Sequence, residues 1–351
     1  MTKQIKCGNV LIGGGAPLSI QSMTNTDTRD AEATLVQIDR LAEAGCQIVR
    51  CAVPDMEAAA SLSEIKKRSP LPVVADIHFD YRLAIAAMEA GADKIRINPG
   101  NIGSDERLAA VLEKASEFRV PVRIGVNSGS LEKSIIAKYG GVSAEGLCES
   151  ALNAAARCEA MGFTDLVISI KSADVQMNHK AHKLLAKSTE YPIHIGLTEA
   201  GAGAMAEIKS AVALGALLLE GIGDTMRLSL TGDPVREVEL AKRILAATGI
   251  RRSGIDFVSC PGCGRTRVDL PKIAAEVERR LRPLSENLAS EGRFLRVAVM
   301  GCEVNGPGEA KSADYGVACG KGTGLLIAKG EVLYTVPEEE IIPELIKLIE
   351  K

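Results

Sequence analysis

Residues 1–245 repeat one local pattern, in which a stretch with helical periodicity ends in a glycine and a short apolar segment follows. The pattern is clearest over 41–51, 87–97, 158–169 and 211–221. Glycine just past the last helical turn is a common helix cap, because it accepts a left-handed backbone at little cost. Apolar strands that alternate with helices indicate parallel strands joined by crossover helices.

Eight apolar segments of this repeat are predicted to be strands, and each precedes a plausible helix, such as 30–44 or 80–90. Eight such units are typical of a closed β/α barrel. An open doubly wound sheet is the alternative, but its phosphate turn would follow the first strand, whereas the glycine run 13–15 precedes it. The predicted strands are 18–23, 47–53, 72–79, 94–98, 121–127, 165–171, 192–198 and 216–222.

The strand–helix repeat stops near residue 249, and the segment 248–257 has the character of a linker. A chain of 351 residues also exceeds the size at which a single hydrophobic core usually stops growing. We therefore predict an α/β protein of two domains. An eight-stranded β/α (TIM-like) barrel is expected over 1–250, followed by a small α+β domain over 251–351.

Polar side chains occupy one phase of the predicted strands, in which successive side chains point to opposite faces. In the strand 94–98, Arg96 and Asn98 oppose Ile95 and Ile97. The apolar phase should pack on the helices, so the polar phase should point into the barrel. By this pattern the inward residues are Arg50, Asp76, His78, Arg96, Asn98, Arg123, Asn127, Lys171 and His194.

Four inward cations lie near the carboxyl ends of their strands: Arg50, Arg96, Arg123 and Lys171. Buried charges are costly unless they are paired, and Asp76 can pair with only some of these cations. The carboxyl ends of the strands form the face on which β/α barrels carry their active sites. The converging cations therefore predict a strongly anionic ligand, and arginine forks suit phosphate oxygens.

The predicted seventh strand runs into Glu199 and the glycine-rich turn 200–203, which could cradle a phosphate at a helix N-terminus. Glu199 would then be an acid inside a basic pocket, and a candidate general acid or base. The alternative is a carboxylate that only interacts favourably with the helix dipole. After the eighth strand, Arg227 and Ser229 could either contact the ligand or lie on the surface.

Composition excludes some classes of function. Hydrophobic residues make up 46% and charged residues 25% of the chain, as in ordinary globular proteins. The net charge of −3 gives no sign of a nucleic-acid partner. No apolar run approaches the roughly 18 to 20 residues of a membrane span, and the first residues do not resemble a signal peptide. We therefore expect a cytoplasmic protein without a nucleic-acid or membrane partner.

Nine cysteines in such a chain do not suggest a disulfide framework. Cys260 and Cys263 form a C-x-x-C turn, and Cys302 lies in the glycine-rich segment 301–309. The remaining cysteines include five scattered ones that are predicted to be small buried hydrophobic residues. These five are Cys7, Cys46, Cys51, Cys148 and Cys158.

Three kinds of site fit the clustered cysteines. Zinc is one, with Cys319 completing four thiolates, and a thioredoxin-like redox pair is another. The third is an iron–sulfur cluster held by Cys260, Cys263, Cys302 and a ligand from elsewhere. The glycines and the proline around Cys302 favour the cluster, because its sulfides need backbone N–H groups close by, but zinc stays a serious rival.

Several motifs, in one order along nearly the whole chain, resemble a known family. The chain is similar to the bacterial 4-hydroxy-3-methylbut-2-enyl diphosphate synthases of the non-mevalonate isoprenoid pathway, in their two-domain form. The segments that carry the resemblance are 21–30, 75–80, 94–101, 123–130, 196–201, 260–265 and 301–309.

The resemblance implies a 4Fe-4S cluster in the C-terminal domain, held by Cys260, Cys263, Cys302 and Glu309. Carboxylate oxygen is a harder ligand than thiolate and should leave iron more readily. By the same resemblance Cys319 is not a ligand.

The implied reaction is the reductive ring opening and dehydration of 2-C-methyl-D-erythritol 2,4-cyclodiphosphate to (E)-4-hydroxy-3-methylbut-2-enyl diphosphate. Electrons would come from flavodoxin or ferredoxin, and the chains would pair as a head-to-tail homodimer. Glu199 would be the acid or base. The substrate-binding positions would be Arg50, Asp76, His78, Arg96, Arg123, Asn127, Lys171, Ser229 and, from the cluster domain, Asn305.

Two other functions remain open at this point. One is a non-redox, phosphate-binding barrel synthase with a structural zinc domain. The other is a zinc module that binds RNA, which the slightly acidic chain and the lack of aromatic residues among basic ones near the cysteines do not favour. The identity of the metal separates both from the redox enzyme.

Overall fold

Aspartate side chains begin five of the helices that surround the barrel. Asp30, Asp55 and Asp174 each accept a hydrogen bond from the backbone N–H three residues further on. Asp80 and Asp233 accept from the N–H two residues further on. Each carboxylate satisfies a backbone donor that has no partner within the helix, and it also interacts favourably with the helix dipole. The polar positions between strands and helices therefore set where these helices start.

The structure, a computed structural model, describes residues 1–350, except for the side chain of Pro99. It divides into two units, Met1–Thr248 and a second that begins at Gly249. Within these described residues, no helix is long and apolar enough to pass through a membrane.

The first unit contains one sheet of eight parallel strands, and the prediction of a TIM-like barrel is confirmed. Neighbouring strands follow the order β8-β7-β6-β5-β4-β3-β10-β9, and a parallel bridge between Ile168 and Ile193 joins the two ends. A two-stranded antiparallel hairpin precedes this sheet. The strands are β1 (Ile5–Cys7) and β2 (Val10–Ile12) of the hairpin, then β3 (Ser19–Met23), β4 (Ile48–Ala52), β5 (Val73–Asp76), β6 (Lys94–Ile97), β7 (Val122–Asn127), β8 (Leu166–Lys171), β9 (His194–Gly196) and β10 (Thr225–Arg227).

Helices connect consecutive strands of the barrel. A 3-10 turn, Ser128–Ser130, also follows β7. The helices of this unit are α1 (Ala31–Glu43), α2 (Met56–Arg68), α3 (Tyr81–Glu89), α4 (Pro99–Ile102), α5 (Asp105–Phe118), α6 (Lys133–Tyr139), α7 (Ala144–Ala160), α8 (Val175–Ser188), α9 (Gly203–Leu219) and α10 (Pro234–Ala247).

The eighth strand does not lie where the sequence predicted it. The segment 216–222 is the end of α9 and the turn after it, and the strand is Thr225–Arg227. A short apolar run fits a buried strand and a buried helix equally well, so its hydrophobicity could not separate the two. Gly221, at φ +71°, ends the helix in a left-handed turn that glycine adopts easily.

The apolar phase of the strands packs against the helices, as the alternation predicted. Ile95 and Ile97 of β6 and Ile124 of β7 are buried in one hydrophobic core together with the inner faces of the helices. Four of the five scattered cysteines lie in this core, and Cys7 lies in a smaller cluster beside the hairpin. Their prediction as buried hydrophobic residues is confirmed.

The second unit is a five-stranded mixed sheet covered by helices. Its strands follow the order β11-β12-β13-β14-β15, parallel across the first three and antiparallel across the last three. Val277 and Leu281 of one helix and Leu345 of another are buried against the sheet. The elements are β11 (Gly254–Ser259), α11 (Leu270–Ser290), β12 (Phe294–Met300), α12 (Gly306–Glu309), the 3-10 turn Ala310–Ser312, β13 (Tyr315–Cys319), β14 (Thr323–Ala328), β15 (Glu331–Pro337), the 3-10 turn Glu338–Glu340 and α13 (Ile341–Ile349).

Candidate active site and cysteine sites

Strand register brings the inward polar residues of neighbouring strands side by side. Arg96 of β6 pairs in register with Asp76 of β5 on one side and with Arg123 of β7 on the other. Asn127 of β7 pairs with Lys171 of β8 in the same way. Because the strands are parallel, these residues meet at the carboxyl end of the barrel.

There they line a cavity of about 150 Å³. Eight of the nine predicted substrate-binding residues lie in its wall; the exception is Asn305, which belongs to the second unit. Three further residues, Ser169, Thr198 and Arg227, complete the wall. The full set is Arg50, Asp76, His78, Arg96, Arg123, Asn127, Ser169, Lys171, Thr198, Arg227 and Ser229.

Ser169 and Thr198 were not predicted as site residues, although the strand pattern contains a signal for both; Arg227 was predicted to lie either at the ligand or on the surface. Ser169 has the same strand phase as Lys171, and Thr198 has the same phase as His194, so alternation alone places both inside the barrel. Arg227 could not be assigned this way, because its strand was predicted at 216–222.

Asp76 organises two of the arginines. Its carboxylate lies 3.2 Å from Arg96 Nη1 and 3.7 Å from Arg50 Nε, and the Asp76 residue is only 3% exposed. Burial alone would raise the pKa of this carboxyl group, but the charges of Arg50, Arg96 and Arg123 outweigh burial and lower it to about 2. Asp76 is therefore ionised at neutral pH and serves as a counter-ion, not as an acid.

Positive charge nevertheless remains in excess. Arg123 is 1% exposed, and its Nε and Nη1 atoms have no hydrogen-bond partner among the residues described. Burial, followed by the charge of Arg50 and other arginines, lowers the pKa of Lys171 well below its usual value. Buried donors without partners and cations that repel one another are the features that an anionic ligand would relieve.

Two inward glycines leave room for the cationic side chains. A Cβ atom on Gly125 would lie 2.7 Å from Arg96 Nε, and one on Gly196 would lie 3.1 Å from Lys171 Cε. Both approaches are closer than real Cβ contacts normally allow. Glycine at these positions therefore permits the long side chains to lie along the inside of the barrel.

Glu199 stands outside the cavity wall, directly after Thr198, and is exposed. Its backbone has φ +54°, in the left-handed region that non-glycine residues seldom adopt. Such strain costs of the order of 1 kcal/mol or more and is often found at functional sites. The unusual backbone makes Glu199 notable at the edge of the site, although its role stays a prediction.

A second group of polar residues is buried deeper in the barrel. Lys94 of β6 is 0% exposed, and its Nζ atom has no hydrogen-bond partner within residues 1–350. Burial, opposed by Cys7 and reinforced by Arg123 and Arg50, lowers the pKa of Lys94 from 10.5 to about 8. His194 of β9 is equally buried, so the polar interior continues below the anion cavity.

The C-terminal thiols have environments that suit metal binding. The Sγ atom of Cys260 accepts a hydrogen bond from the backbone N–H of Gly301 at 3.2 Å. Backbone N–H groups, that of Asn305 first, lower the pKa of Cys302. The N–H of Arg265 has the same effect on Cys263. Hydrogen bonds that favour the thiolate also favour binding of a soft metal centre.

The predicted ligands are not assembled into a closed site. In the part of the chain that the structure describes, no three histidine, cysteine or acidic residues are spaced to hold a metal ion. Asn305 precedes the short helix α12 and Glu309 is its last residue, and both are exposed. Cys319 differs from the other C-terminal thiols, because it is fully buried and burial raises its pKa to about 12. Its environment disfavours the thiolate that a metal requires.

Sequence comparison identifies relatives of the whole chain. The family model described as the GcpE TIM-barrel domain matches residues 2–242, and that of the GcpE protein C-terminal domain matches 256–351. A Clostridium acetobutylicum protein named 4-hydroxy-3-methylbut-2-en-1-yl diphosphate synthase (flavodoxin) is 54% identical over 349 residues, covering 99% of this chain and 98% of its own. A Geobacter sulfurreducens protein of the same name is 54% identical over 350 residues, covering 100% and 97%.

Comparison of folds finds other β/α barrels. Dihydropteroate synthase from Vibrio fischeri matches with a TM-score of 0.52 at 14% identity, over 70% of this chain and 98% of its own. The Yersinia pestis dihydropteroate synthase matches with a TM-score of 0.51 at 13% identity, over 71% and 100%. At such low identity the likeness concerns the fold alone.

The unpaired ammonium group of Lys94 should destabilise the fold. Its pKa is lower in the folded state than in the unfolded chain, so the penalty is full below about pH 8 and fades as the pH rises to 10.5. We expect Lys94→Met to raise the free energy of unfolding at neutral pH by roughly 1–3 kcal/mol. The gain should shrink near pH 10. Urea unfolding at both pH values measures it.

Lys114→Met is the matched control, because Lys114 is a surface residue that pairs with Glu117 at 2.8 Å. Its effect should stay within about 0.5 kcal/mol. A loss of stability in Lys94→Met, or a gain that is equal at both pH values, would contradict the assignment of an unpaired buried charge.

Proposed function

The chain belongs to the GcpE family, and we propose that it catalyses the reductive ring opening and dehydration of 2-C-methyl-D-erythritol 2,4-cyclodiphosphate. The product would be (E)-4-hydroxy-3-methylbut-2-enyl diphosphate, in the non-mevalonate route to isoprenoids. The enzyme is an oxidoreductase, and flavodoxin would be its electron donor, as the names of its relatives state for them. We place the reaction in the cytoplasm.

The cationic cavity is the observation that supports this substrate. Arg123 and Lys171 have no carboxylate partner among the described ion pairs, and both face the space that Arg96 also lines. A diphosphate brings at least two negative charges and many acceptor oxygens, which suit guanidinium forks and an ammonium group. Asn127 and Ser229 add neutral donors to the wall. Together these groups would hold the diphosphate and fix the orientation of the ring.

Glu199 is proposed as the proton carrier. Its position next to Thr198, at the edge of the cavity, leaves it exposed while the cations lie deeper. Its carboxyl group would give a proton to the hydroxyl oxygen that leaves as water. General acid or base groups of this kind typically contribute about 10²- to 10⁴-fold to a rate.

The second unit is proposed to hold the redox centre, with Cys260, Cys263, Cys302 and Glu309 as ligands. Bound there, a 4Fe-4S cluster would transfer, one at a time, the two electrons that the reaction takes from the donor. The thiol environments fit this group, because backbone N–H groups lower the pKa of Cys302 and Cys263. The exposure of Glu309 suits a ligand that must exchange readily.

The first experiment is the iron, zinc and acid-labile sulfide content of protein purified without oxygen. About four irons per chain with matching sulfide is expected for one cluster. Reduced flavodoxin and the cyclic diphosphate should then yield the linear diphosphate product. Zinc without sulfide would remove the redox mechanism and leave a phosphate-binding barrel with a structural metal domain.

Alanine variants distinguish the proposed ligand Cys302 from Cys319, which is not proposed as a ligand. We expect Cys302→Ala to lose most of the iron and sulfide, because one of three thiolate ligands is missing. Cys319→Ala is the matched control and should keep both, since Cys319 is buried and its thiol disfavours ionisation. Iron loss in Cys319→Ala with retention in Cys302→Ala would require a different ligand set.

Glu199→Gln removes the proposed proton carrier and keeps its shape. Turnover should fall by about 100-fold or more, while iron, sulfide and substrate affinity change little. Single-turnover product formation and metal content report these quantities separately. The control is Glu207→Gln, which removes a surface pair with Arg236. Normal turnover in Glu199→Gln would assign the proton transfer to another group.

The head-to-tail homodimer is also part of the proposal, with Asn305 contacting the substrate of the partner chain. A mixed dimer tests it: one chain carries Lys171→Ala and the other Cys302→Ala. If each barrel uses the partner's cluster, one of the two pairs is intact and about half of the wild-type activity should return. If each chain serves its own barrel, every pair in the mixed dimer is defective, and it should be inactive.

A further inference from the structure

Glu237 is a buried carboxylate on the first turn of α10, and it contacts the strand end that forms one side of the cavity. The residue is only 4% exposed. Its Oε1 atom accepts hydrogen bonds from Arg227 Nη2 at 3.3 Å and from the backbone N–H of Leu230 at 3.1 Å. Its Oε2 atom accepts from Arg227 Nε at 3.3 Å and from Ser22 Oγ at 3.1 Å. Both oxygens are therefore fully engaged.

These bonds hold both ends of a short segment of the cavity wall. Arg227 and Ser229 line the cavity, and Leu230 directly follows Ser229. The carboxylate holds the guanidinium at one end of the segment and the Leu230 N–H at the other. Ser22 of β3 in turn fixes the carboxylate from the neighbouring strand, since β3 and β10 pair in the barrel.

The two hydrogen bonds from Arg227 to the Glu237 carboxylate form a fork, and this fork fixes the orientation of the guanidinium toward a ligand. A guanidinium has five N–H donors, and the fork uses two of them, on Nε and Nη2. The remaining three can serve a bound anion. An arginine side chain without such a partner loses rotational freedom when it binds a ligand, and this loss weakens binding. An arginine that is already oriented avoids most of that loss.

Stability alone gives a weaker account of Glu237. A buried ion pair often contributes little compared with well-packed apolar residues of the same volume. The four hydrogen bonds offset the cost of burying the charge, and the position in the first helical turn helps. An apolar side chain at this position could not orient both the Arg227 guanidinium and the Ser229 segment.

We propose that Glu237 is a positioning residue for anion binding, which holds Arg227 and the Ser229 segment in the orientation that receives the diphosphate. It acts through Arg227 and the Ser229 segment and does not touch the substrate. This inference rests on the proposed function, because the diphosphate group belongs to the proposed substrate. It adds a residue from the helical layer to a site otherwise built from the strands and their carboxyl ends.

Glu237→Gln tests the proposal. The amide turns an N–H₂ group toward the guanidinium and removes the charge, so the fork is lost while the volume stays the same. In the holoenzyme, KM for the cyclic diphosphate should rise about tenfold, and kcat should change less than about twofold, because the lost interaction orients the ligand in both ground and transition states. Glu239→Gln, on the exposed side of the same helix, should change neither constant.

A purely structural role gives a different result. It would lower the melting temperature of Glu237→Gln and leave KM unchanged, which would overturn the proposal. If Glu237→Gln does not fold, Ser22→Ala provides the second variant. It removes one donor to the carboxylate and keeps the fork, so KM should rise by only about two- to threefold. An unchanged KM in the folded Ser22→Ala enzyme would also overturn the proposal.

A double-mutant cycle identifies the path of the effect. If Glu237 acts in part through Arg227, Glu237→Gln should raise KM less when Arg227→Ala is present than in the wild-type enzyme. Additive effects would overturn the assignment. The same cycle can be measured as the Kd for inorganic diphosphate, which needs no turnover. A wild-type holoenzyme that fails to open the ring would refute the proposed function, whereas coupling absent from the diphosphate Kd would refute only the role of Glu237.

Discussion

The buried positive charge inside the barrel is the constraint on which the rest of the site depends. Five cations line one small cavity: Arg50, Arg96, Arg123, Lys171 and Arg227. In the ion pairs that the structure describes, only the carboxylates of Asp76 and Glu237 pair with these cations. Desolvation makes such an arrangement unfavourable on its own, so the scaffold must hold it in place by packing elsewhere. The apolar outer phase of the strands, which is fully buried against the helices, supplies that packing.

The barrel can hold such buried charges because each strand separates the packing of the core from the charged residues. One phase carries the core, and the other carries the chemistry, so a residue can be charged without disturbing the packing of its neighbours. The inner phase also needs space, and Gly125 and Gly196 provide it beside Arg96 and Lys171. Parallel register then aligns the polar ends of different strands at the same height.

Much of this arrangement was predictable, because strand alternation is a local property. It correctly placed Arg96, Arg123 and Lys171 inside the barrel. It failed for the eighth strand, because the apolar run 216–219 ends a helix and has no alternation that would distinguish a helix from a strand. Glu237 could not be found either, since an acid in the first turn of a helix usually faces solvent, and only the fold brings it beneath Arg227. The proposed cluster ligands came from family resemblance, because spacing alone left zinc possible.

The carboxylates of Asp76 and Glu237 pair with only some of the five cations, and the cations that remain unpaired affect which ligand the cavity favours. Asp76 serves Arg50 and Arg96, and Glu237 serves Arg227, which leaves Arg123 and Lys171 without a carboxylate among the described contacts. Lys171 is the more sensitive of these two, because burial and four surrounding arginines lower its pKa well below the usual value. A bound dianion would reverse that balance and favour the charged ammonium. A ligand with a single negative charge would compensate less of the excess, so the cavity favours a diphosphate over a simple carboxylate on electrostatic grounds.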